Sequence, residues 1–401
     1  MRGPESDKSS GIPNSQVLTM NYPIPKDATC HLGIIGCGAR IRGLLALEKQ
    51  IHVIAVSDPH PSSILAARES YGPDLKVYDD YRDLVADPDL DWVAVGSWNC
   101  FHREHAVAAL QAGKNVFCEK PLATSFEDCV AIQNAVRQTG KVFSFGLVLR
   151  YSPFYRKVHE LLRSGRIGNL VSFEFNEHIN FFHGTYIMGG WRRFRRNAGT
   201  HILEKCCHDL DIALWLTDSL PMRAASFGGL NFFRAENKHL TVFDDKGREI
   251  HSTWDGLDMV NPFTSEKDIV DNQVVILEFA NGVRASFHAN CSSGIPERRI
   301  VLIGTEGTIR ADALTGVIEL QRISQQLESH TIDVTGGHLG GHAGGDEVLL
   351  KTLIASMRDN APPLVGIDEG IKSALVCFAI DEAHDTGTVV DLKPMWERAG
   401  L

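Results

Sequence analysis

Short apolar runs alternate with helix-like segments through the first half of the chain, and this alternation most constrains the fold. The apolar runs lie at 31–35, 52–58, 92–96, 115–118 and 141–145. The helix-like segments lie between them at 43–50, 62–71, 102–112 and 125–139. Runs that are apolar throughout are typical of parallel strands with both sheet faces covered by helices. The sequence therefore predicts a doubly wound α/β domain, with a parallel sheet, over residues 31–150.

The pattern changes after residue 151, where apolar and polar residues alternate along 170–180 and again along 273–288. The second stretch contains Asn281-Gly282, a dipeptide typical of hairpin turns. Period-two alternation indicates strands with one buried face. The sequence thus predicts a C-terminal α+β domain over 151–401, with an open, largely antiparallel sheet covered by helices on one side.

Composition excludes several classes of protein. The 401 residues carry a formal net charge of −10, which disfavours binding to nucleic acid, and no stretch approaches the apolar length of a membrane span. The first thirty residues mix Pro, Gly, Ser and charge, and lack the apolar run of a signal peptide, so we expect residues 1–30 to be a flexible leader. The nine cysteines show no CxxC spacing, so we expect cytoplasmic thiols rather than disulfides or a zinc site.

A glycine-rich turn follows the first predicted strand. It reads Gly36, Cys37, Gly38, Ala39, Arg40, Ile41. Glycines there let the backbone approach a pyrophosphate, as in Rossmann dinucleotide-binding folds, although Ile41 replaces the third glycine of the fingerprint. Asp58 lies twenty residues after Gly38, at the end of the second strand, where a carboxylate can bind ribose hydroxyls. The motif predicts NAD rather than NADP; the alternative is a glycine turn kept only for packing.

Two further loops follow predicted parallel strands, and ligands bind at that edge of such sheets. The first contains Ser97, Trp98, Asn99 and His102; the second contains Glu119, Lys120 and Pro121. A partly desolvated lysine beside a nicotinamide can polarise or protonate an alkoxide, which predicts a catalytic role for Lys120. The alternative is a surface lysine in a proline turn.

A third group of polar residues precedes the apolar stretch at 212–216. If this segment is helical, Glu204, His208 and Asp211 share one face. An acid four residues before a histidine can orient the imidazole, so His208 is predicted to accept a proton from a substrate hydroxyl. A metal site at Cys206, Cys207, His208 and Asp209 is disfavoured because adjacent helical residues point in different directions. A purely structural, buried histidine is the other alternative.

Several of these motifs, in this order, resemble the Gfo/Idh/MocA family, the glucose-fructose oxidoreductase and inositol dehydrogenase group. The resembling segments are GIIGCGAR (33–40), Asp58, SWNCFH (97–102), CEKPLA (118–123), LRYSP (149–153), SGRIGNL (164–170), EKCCHDLD (204–211) and IGTEGTIRAD (303–312). The resemblance implies that Lys120 and His208 are catalytic, that Glu204 stands where an aspartate is usual, and that Asp211 is the acid often found three positions after the histidine. Ser97-Trp98 departs from the family's usual Thr-Pro.

The residues and the resemblance together predict further contacts, with plain solvent exposure as the alternative for Asn176 and His178. Cofactor contacts are expected from the glycine turn, Asp58, Ser97, Trp98, Asn99, His102, Glu119, Lys120 and Arg150, and substrate contacts from Tyr151, Asn176, His178, Trp191, Arg192, Arg193, Arg196 and Asp211. The arginines between Trp191 and Asn197 suit a bidentate clamp on an anionic substituent, although a solvated basic loop is the plainer alternative. The glycine-rich segment with His342 and Asp346 is predicted to be a connector, with ligand contact as the alternative.

Together these features predict an NAD-dependent dehydrogenase that acts on a ring hydroxyl of a sugar or cyclitol and forms a dimer or tetramer. An alternative on the same scaffold is an NAD-dependent glycosidase that oxidises, eliminates and reduces, acting on an acidic glycoside. A third alternative, an NAD-sensing module without catalysis, is disfavoured by the Lys120, His208 and Glu204 set.

Overall fold

The computed structural model describes residues 30–250, 259–323, 329–334, 341–359 and 361–401. The leader predicted over 1–30 therefore lies outside the described residues except for Cys30. No helix in these described ranges is long and apolar enough to cross a membrane.

The helices and strands follow one another in two groups. Strands β1–β6 are Cys30–Ile35, Ile51–Ser57, Lys76–Val77, Trp92–Val95, Asn115–Cys118 and Phe143–Phe145; helices α1–α5 among them are Ala39–Leu45, Pro61–Tyr71, Tyr81–Ala86, His102–Gln111 and Phe126–Thr139. Strands β7–β17 are Leu170–Asn180, Pro221–Gly229, Val242–Phe243, Glu249–Ile250, Asn272–Phe279, Arg284–Ser293, Arg299–Gly304, Gly307–Asp312, Val317–Arg322, Ser329–Asp333 and Val390–Asp391. Helices α6–α13 are Pro153–Arg163, Phe181–Gly189, Arg195–Ala198, His201–Glu204, Cys207–Thr217, Gly345–Asp359, Ile367–Thr386 and Lys393–Arg398.

The first group forms a six-stranded sheet in the order β3-β2-β1-β4-β5-β6, with every pair parallel. Strand β4 is buried at all four positions, as expected for a strand covered on both faces. The predicted parallel α/β architecture is confirmed. Strand β3 was not predicted, because two exposed residues leave no apolar run to recognise.

Helix α1 differs from the prediction of a helix at 43–50. It begins at Ala39, directly after Gly38, which is extended (φ −62°, ψ 170°). The glycine turn, which is predicted to hold the cofactor, therefore leads directly into the first turn of helix α1. The apolar residues Leu44 and Leu45, which suggested a later helix, are instead its buried last turn.

The second group forms a nine-stranded sheet in the order β16-β15-β14-β13-β7-β12-β11-β8-β17. Its pairs are antiparallel except β7 with β12. Alternate residues of β11 and β12 are buried, for example Val275, Leu277 and Phe287, and helices α6, α10 and α12 pack on the sheet. The predicted largely antiparallel sheet is confirmed.

The single helix expected from Glu204 onward is two helices. Helix α9 ends at Glu204 and α10 begins at Cys207, so Lys205 and Cys206 form a junction between them. Thr200 caps α9 by accepting a hydrogen bond from the Leu203 amide. The i, i+4, i+7 argument that placed Glu204, His208 and Asp211 on one face therefore does not hold, and each contacts different partners.

Close backbone approach gives a test of this packing. A Cβ at Gly184 in α7 would lie 1.8 Å from the carbonyl oxygen of Cys291 in β12, whereas a Cβ at the exposed Gly43 in α1 has no atom within 4 Å. We expect Gly184→Ala to destabilise the protein by about 1–3 kcal/mol or more through overpacking. Gly43→Ala should stabilise it by about 0.5–1 kcal/mol. Urea unfolding measures both; equal midpoints for the two variants would contradict the close contact of α7 with β12.

Candidate active site

The glycine turn between β1 and α1 combines a close contact with an open space. Gly36 has φ +78°, and a Cβ there would lie 2.4 Å from the Cα of Ser97. A Cβ at Gly38 would meet no atom within 4 Å. Gly36 is therefore required by the fold, whereas Gly38 leaves its space free for a ligand to approach the backbone, as the pyrophosphate of a dinucleotide does.

Ile41, which replaces the third fingerprint glycine, packs against a glycine on the neighbouring strand. A Cβ at Gly96, directly after β4, would lie 2.7 Å from the Cβ of Ile41. The third glycine ordinarily allows close packing of helix on sheet. Here Gly96 supplies the missing space, so the departure of Ile41 from the fingerprint leaves the helix close to the sheet.

Asp58 lies at the end of β2 with its carboxylate fixed beside the turn. Its Oδ2 accepts a hydrogen bond from the Cys37 amide and its Oδ1 accepts one from the His60 amide, both at 2.8 Å. Each oxygen keeps a lone pair for a further donor. The carboxylate is thus fixed at the carboxyl end of β2 with acceptor capacity left over; its contact with an adenosine ribose stays a prediction.

The loops after β4 and β5 are joined by a buried histidine. His102 Nδ1 lies 2.7 Å from the carbonyl oxygen of Pro121, and its Nε2 lies 3.1 Å from that of Ser97. Asn99 is also buried, and donates from Nδ2 to the Ala198 carbonyl at 2.9 Å. These two side chains were predicted to contact the cofactor, but both are engaged within the protein and shape the loops instead.

Arg40, on the first turn of α1, connects three segments. Its Nε donates to Glu119 at 3.0 Å, and its two terminal nitrogens donate to the carboxylate of Asp346 at 3.1 and 2.7 Å. Bidentate arginine–carboxylate pairs fix geometry as well as charge. Arg40 therefore ties the glycine turn to the Lys120 loop and to the start of α11.

Lys120 reaches from the β5 loop to helix α9. Its Nζ lies 2.5 Å from the Glu204 carbonyl oxygen and 3.3 Å from Glu204 Oε1. The same Oε1 accepts a hydrogen bond from Arg192 Nε at 2.9 Å. Burial alone would raise the pKa of Glu204, but the Lys120 and Arg192 cations hold that pKa far below its ordinary value. Glu204 is therefore a carboxylate that positions the Lys120 ammonium.

His208, in the first turn of α10, is 2% exposed, and its Nδ1 has no hydrogen-bond partner among the described residues. Burial lowers its pKa well below the ordinary value, and the Lys120 ammonium lowers it further, as the strongest charge acting on the ring. His208 is thus a neutral imidazole close to Lys120. Glu204 was expected to orient and charge-tune this ring; its carboxylate is held by Lys120 and Arg192 instead.

A second ionic network lies beside α10 and was not predicted. Glu177 on β7 pairs with Lys205 at 3.1 Å and with Arg298 at 2.6 Å, and Arg298 makes a bidentate pair with Asp209 at 2.8 and 2.7 Å. All four residues are at most 9% exposed. Two cations balance two carboxylates, so the network adds no net charge. Lys205 and Asp209 belong to the EKCCHDLD segment, but their partners Glu177 and Arg298 are distant in sequence and lie in none of the motifs.

Three members of this network, Glu177, Lys205 and Arg298, border a cavity of about 290 Å³. Its polar lining is Glu177, His178, Asn180, His183, Lys205, Glu297, Arg298 and His342. The His342 ring centroid lies 5.8 Å from that of His208. The cavity is at the small end of ligand pockets and is densely lined by hydrogen-bonding groups. The glycine-rich segment expected to be a connector therefore brings His342 into the site.

Of the residues expected to contact substrate, several lie elsewhere. Tyr151 is 1% exposed, and its hydroxyl is engaged by Ser144, Thr352 and the Val365 backbone. Asp211 is fully buried and makes a bidentate pair with Arg150 at 2.8 and 2.7 Å. The expected cofactor contact of Arg150 is therefore replaced by this ion pair.

Of the polar residues on β7, only part of the predicted set reaches the cavity. Asn176 is buried, donates to Glu297 at 3.0 Å and accepts from the Arg299 amide at 2.8 Å. His178 and Asn180, two and four positions further along the strand, do line the cavity.

The arginines between Trp191 and Asn197 also have partners within the protein. Arg193 donates to the carbonyl oxygens of Gly190 and Glu266, and Arg196 lies 4.2 Å over the Phe194 ring. Arg192 contacts Glu204 and lies 4.2 Å over the Trp191 ring, which in turn stacks on Trp98 at 4.8 Å. Of this set, Arg192 contacts Glu204, the partner of Lys120, and Trp191 stacks on Trp98 in the loop after β4; Arg192 and Arg193 are held by partners within the protein rather than arranged as an anion clamp.

All nine cysteines lie within the described residues and are free thiols, eight of them buried. In the ranges that the structure covers, no group of three or more His, Cys, Asp or Glu side chains is arranged to hold a metal ion.

Comparison with known protein families matches the parallel-sheet region and the nine-stranded-sheet region to two domains of one family. Residues 30–147 match the family model described as "Oxidoreductase family, NAD-binding Rossmann fold", and residues 159–392 match the C-terminal alpha/beta domain of the same family. An inositol 2-dehydrogenase of Burkholderia cenocepacia is 29% identical over 90% of this chain and 96% of its own length.

Two solved structures share the fold. A levoglucosan dehydrogenase in complex with NADH and L-sorbose has a TM-score of 0.75 at 20% identity, covering 92% of this chain and 100% of that one. A myo-inositol 2-dehydrogenase from Lactobacillus plantarum has a TM-score of 0.71 at 18% identity, covering 91% and 99%.

The open space at Gly38 gives a test of dinucleotide binding at the turn. Because Gly38 has a negative φ and no neighbour within 4 Å, Gly38→Ala should fold normally yet obstruct a bound pyrophosphate. We expect NADH affinity to fall about tenfold to 100-fold, roughly 1–3 kcal/mol, with unchanged thermal unfolding. Gly36→Ala is the matched control, which should lose stability instead. NADH fluorescence titration measures the affinity; unaltered binding by Gly38→Ala would contradict this placement.

Proposed function

Because the chain belongs to the Gfo/Idh/MocA oxidoreductase family and carries its NAD-binding Rossmann domain, we propose that it is an NAD-dependent dehydrogenase that oxidises a ring hydroxyl of a sugar or cyclitol, or reduces the matching ketone. The observation that carries this proposal is the buried, neutral imidazole of His208, which feels the Lys120 charge and lies 5.8 Å, between ring centroids, from His342 on the wall of a small cavity lined by hydrogen-bonding groups. The related inositol and levoglucosan dehydrogenases support the substrate class.

The preference for NAD over NADP rests on Asp58. Its carboxylate is held at the end of β2 by the amides of Cys37 and His60. A carboxylate there accepts hydrogen bonds from ribose hydroxyls and repels a 2′-phosphate. The glycine turn and Asp58 would hold the dinucleotide, which when bound accepts a hydride at its nicotinamide ring.

Each site residue has a distinct proposed task. His208 accepts the proton of the substrate hydroxyl, a role that a neutral, desolvated imidazole can fill. Lys120 stabilises the oxygen as negative charge develops on it. Glu204 acts as a positioning residue, because its carboxylate and its carbonyl oxygen hold the Lys120 ammonium. Arg192 donates a second hydrogen bond to the same carboxylate.

An uncharged polyol fits the cavity better than an anion. Its cations Lys205 and Arg298 are already paired with Glu177, and Arg298 also with Asp209. An anionic substituent would have to displace one of these buried carboxylates, which is costly. Hydroxyl groups can both donate and accept, and so can bind to the network without breaking it.

We further propose that residues 31–150 form the cofactor domain and residues 151–401 the substrate and assembly domain. Exposed apolar side chains on the nine-stranded sheet support a homo-oligomer; Phe227 is 74% and Ile276 57% exposed. Nine free thiols are in keeping with a reducing cytoplasm.

Substitution of Lys120 tests its task directly. Lys120→Ala should lower kcat by about 100-fold to 10,000-fold, which is the range for a lost acid–base or oxyanion group. The variant should still fold, because Glu204 keeps Arg192 as a partner. NADH binding should persist. The control is Lys351→Ala on the exposed face of α11, which should leave turnover unchanged. A Lys120→Ala enzyme with near-normal kcat would refute the assignment.

The low pKa of His208 predicts the pH profile. A base must be unprotonated, and burial together with the Lys120 charge keeps His208 unprotonated well below pH 6.5. The kcat/KM for polyol oxidation should therefore stay flat as the pH falls from 8 to about 6.5 and decline only at lower pH. An acid limb centred at or above pH 6.5 would contradict His208 as the base in this environment.

The glycosidase alternative uses the same residues and is separated by its products. Myo-inositol, levoglucosan and aryl glycosides with and without acidic groups can be incubated with NAD while NADH absorbance and free aglycone are followed together. Net NADH supports the dehydrogenase, and aglycone release without NADH would establish the hydrolase.

A further inference from the structure

His342 reaches the active site from a part of the chain that carries none of the recognised motifs. It precedes helix α11 and lies on the wall of the cavity, with its ring centroid 5.8 Å from that of His208. His342 and the following Ala343 have φ of 52° and 53°, a left-handed conformation that non-glycine residues seldom adopt. Such conformations persist where the surrounding structure holds them, and they are common at functional sites.

A chain of hydrogen bonds fixes the orientation of the His342 ring. Its Nδ1 lies 3.0 Å from Asp346 Oδ2, one helical turn further along the chain. Arg40 holds the Asp346 carboxylate with two hydrogen bonds, and Glu119 in turn holds Arg40. Since a carboxylate can only accept, Nδ1 carries the proton and Nε2 is left as the acceptor.

The charge state of the ring agrees with this arrangement. Burial lowers the pKa of His342 more than Asp346 raises it, so the imidazole is neutral at physiological pH. A neutral imidazole with its Nδ1 proton engaged offers one acceptor to the cavity. The neighbouring His208 is also neutral, so two imidazoles that can accept hydrogen bonds lie with ring centroids 5.8 Å apart, one of them, His342, on the cavity wall.

We propose that His342 binds a second substrate hydroxyl, next to the one that is oxidised, so that the enzyme selects ring compounds with vicinal hydroxyl groups. The inference rests on the proposed function and adds the substrate feature that it leaves open. His208 serves the reacting hydroxyl, and His342 Nε2 accepts a hydrogen bond from its neighbour. Asp346 and Arg40 are positioning residues for His342, and they link its orientation to the glycine turn.

The test compares substrates that differ by one hydroxyl. Wild type and His342→Ala are assayed for NADH formation with myo-inositol and levoglucosan, each paired with its deoxy analogue lacking the hydroxyl beside the oxidised carbon. In the wild type, kcat/KM should favour the diol on the order of 100-fold or more, because a site built to bind a hydroxyl rejects the analogue without it. In His342→Ala this ratio should fall to near one, mostly through loss on the diol.

Two more variants separate binding from structure. His342→Gln can still present an acceptor and should regain part of the ratio, while Asp346→Asn, which weakens the pair with Arg40, should reduce it. The control is His384→Ala, since His384 forms a similar pair with Asp385 (Nδ1 to Oδ1, 3.1 Å) on α12, away from the cavity. Its ratio should equal that of the wild type.

The outcomes distinguish the two proposals. An active wild type that does not discriminate, or a His342→Ala enzyme that loses the same factor on both members of a pair, overturns the role of His342 and leaves the dehydrogenase assignment standing. Absence of NADH formation with every polyol overturns both.

Discussion

The contact of the Lys120 ammonium with Glu204 joins the two halves of the molecule at the point where their chemistry meets. Lys120 belongs to the parallel sheet and Glu204 to the helices that pack on the nine-stranded sheet, and the two contacts of 2.5 and 3.3 Å bring the cation toward His208. Without this carboxylate, the Lys120 and Arg192 cations would lose the side chain that holds them together. The site therefore depends on one carboxylate shared between Lys120 and Arg192.

Buried charge is balanced throughout this region, and this explains why so many ionic residues can surround one small cavity. Glu177 and Asp209 form ion pairs with Lys205 and Arg298, Asp211 pairs with Arg150, and Asp346 pairs with Arg40. Paired charges stay ionised with modest net effect on the free energy of unfolding, whereas an unpaired buried charge is strongly destabilising. The buried imidazole of His208 is neutral and so adds no charge to this balance.

The sequence alone sufficed for the parts of the fold that repeat a period. Continuous apolar runs predicted the parallel sheet, and alternation along 170–180 and 273–288 predicted the second sheet. Lys120, Glu204 and His208 could be found because each stands in a local motif. The pairing of Arg298 with Glu177 and the place of His342 beside His208 could not, since each joins residues far apart in the chain that only folding brings together. The helix break at Lys205 was also hidden, because helical spacing across 204–216 looks unbroken in the sequence.

The exchange between Ile41 and Gly96 concerns how dinucleotide fingerprints are interpreted. Close packing of the helix on the sheet requires that either the helix residue at the third position or the residue after β4 be small; it does not require glycine at the third position itself. A bulky residue on the helix is compatible with the fold when the opposing strand gives up its side chain. A fingerprint that demands glycine at the third position excludes such chains, whereas a rule written for the pair would keep them and would treat the two sites as free to vary only in concert.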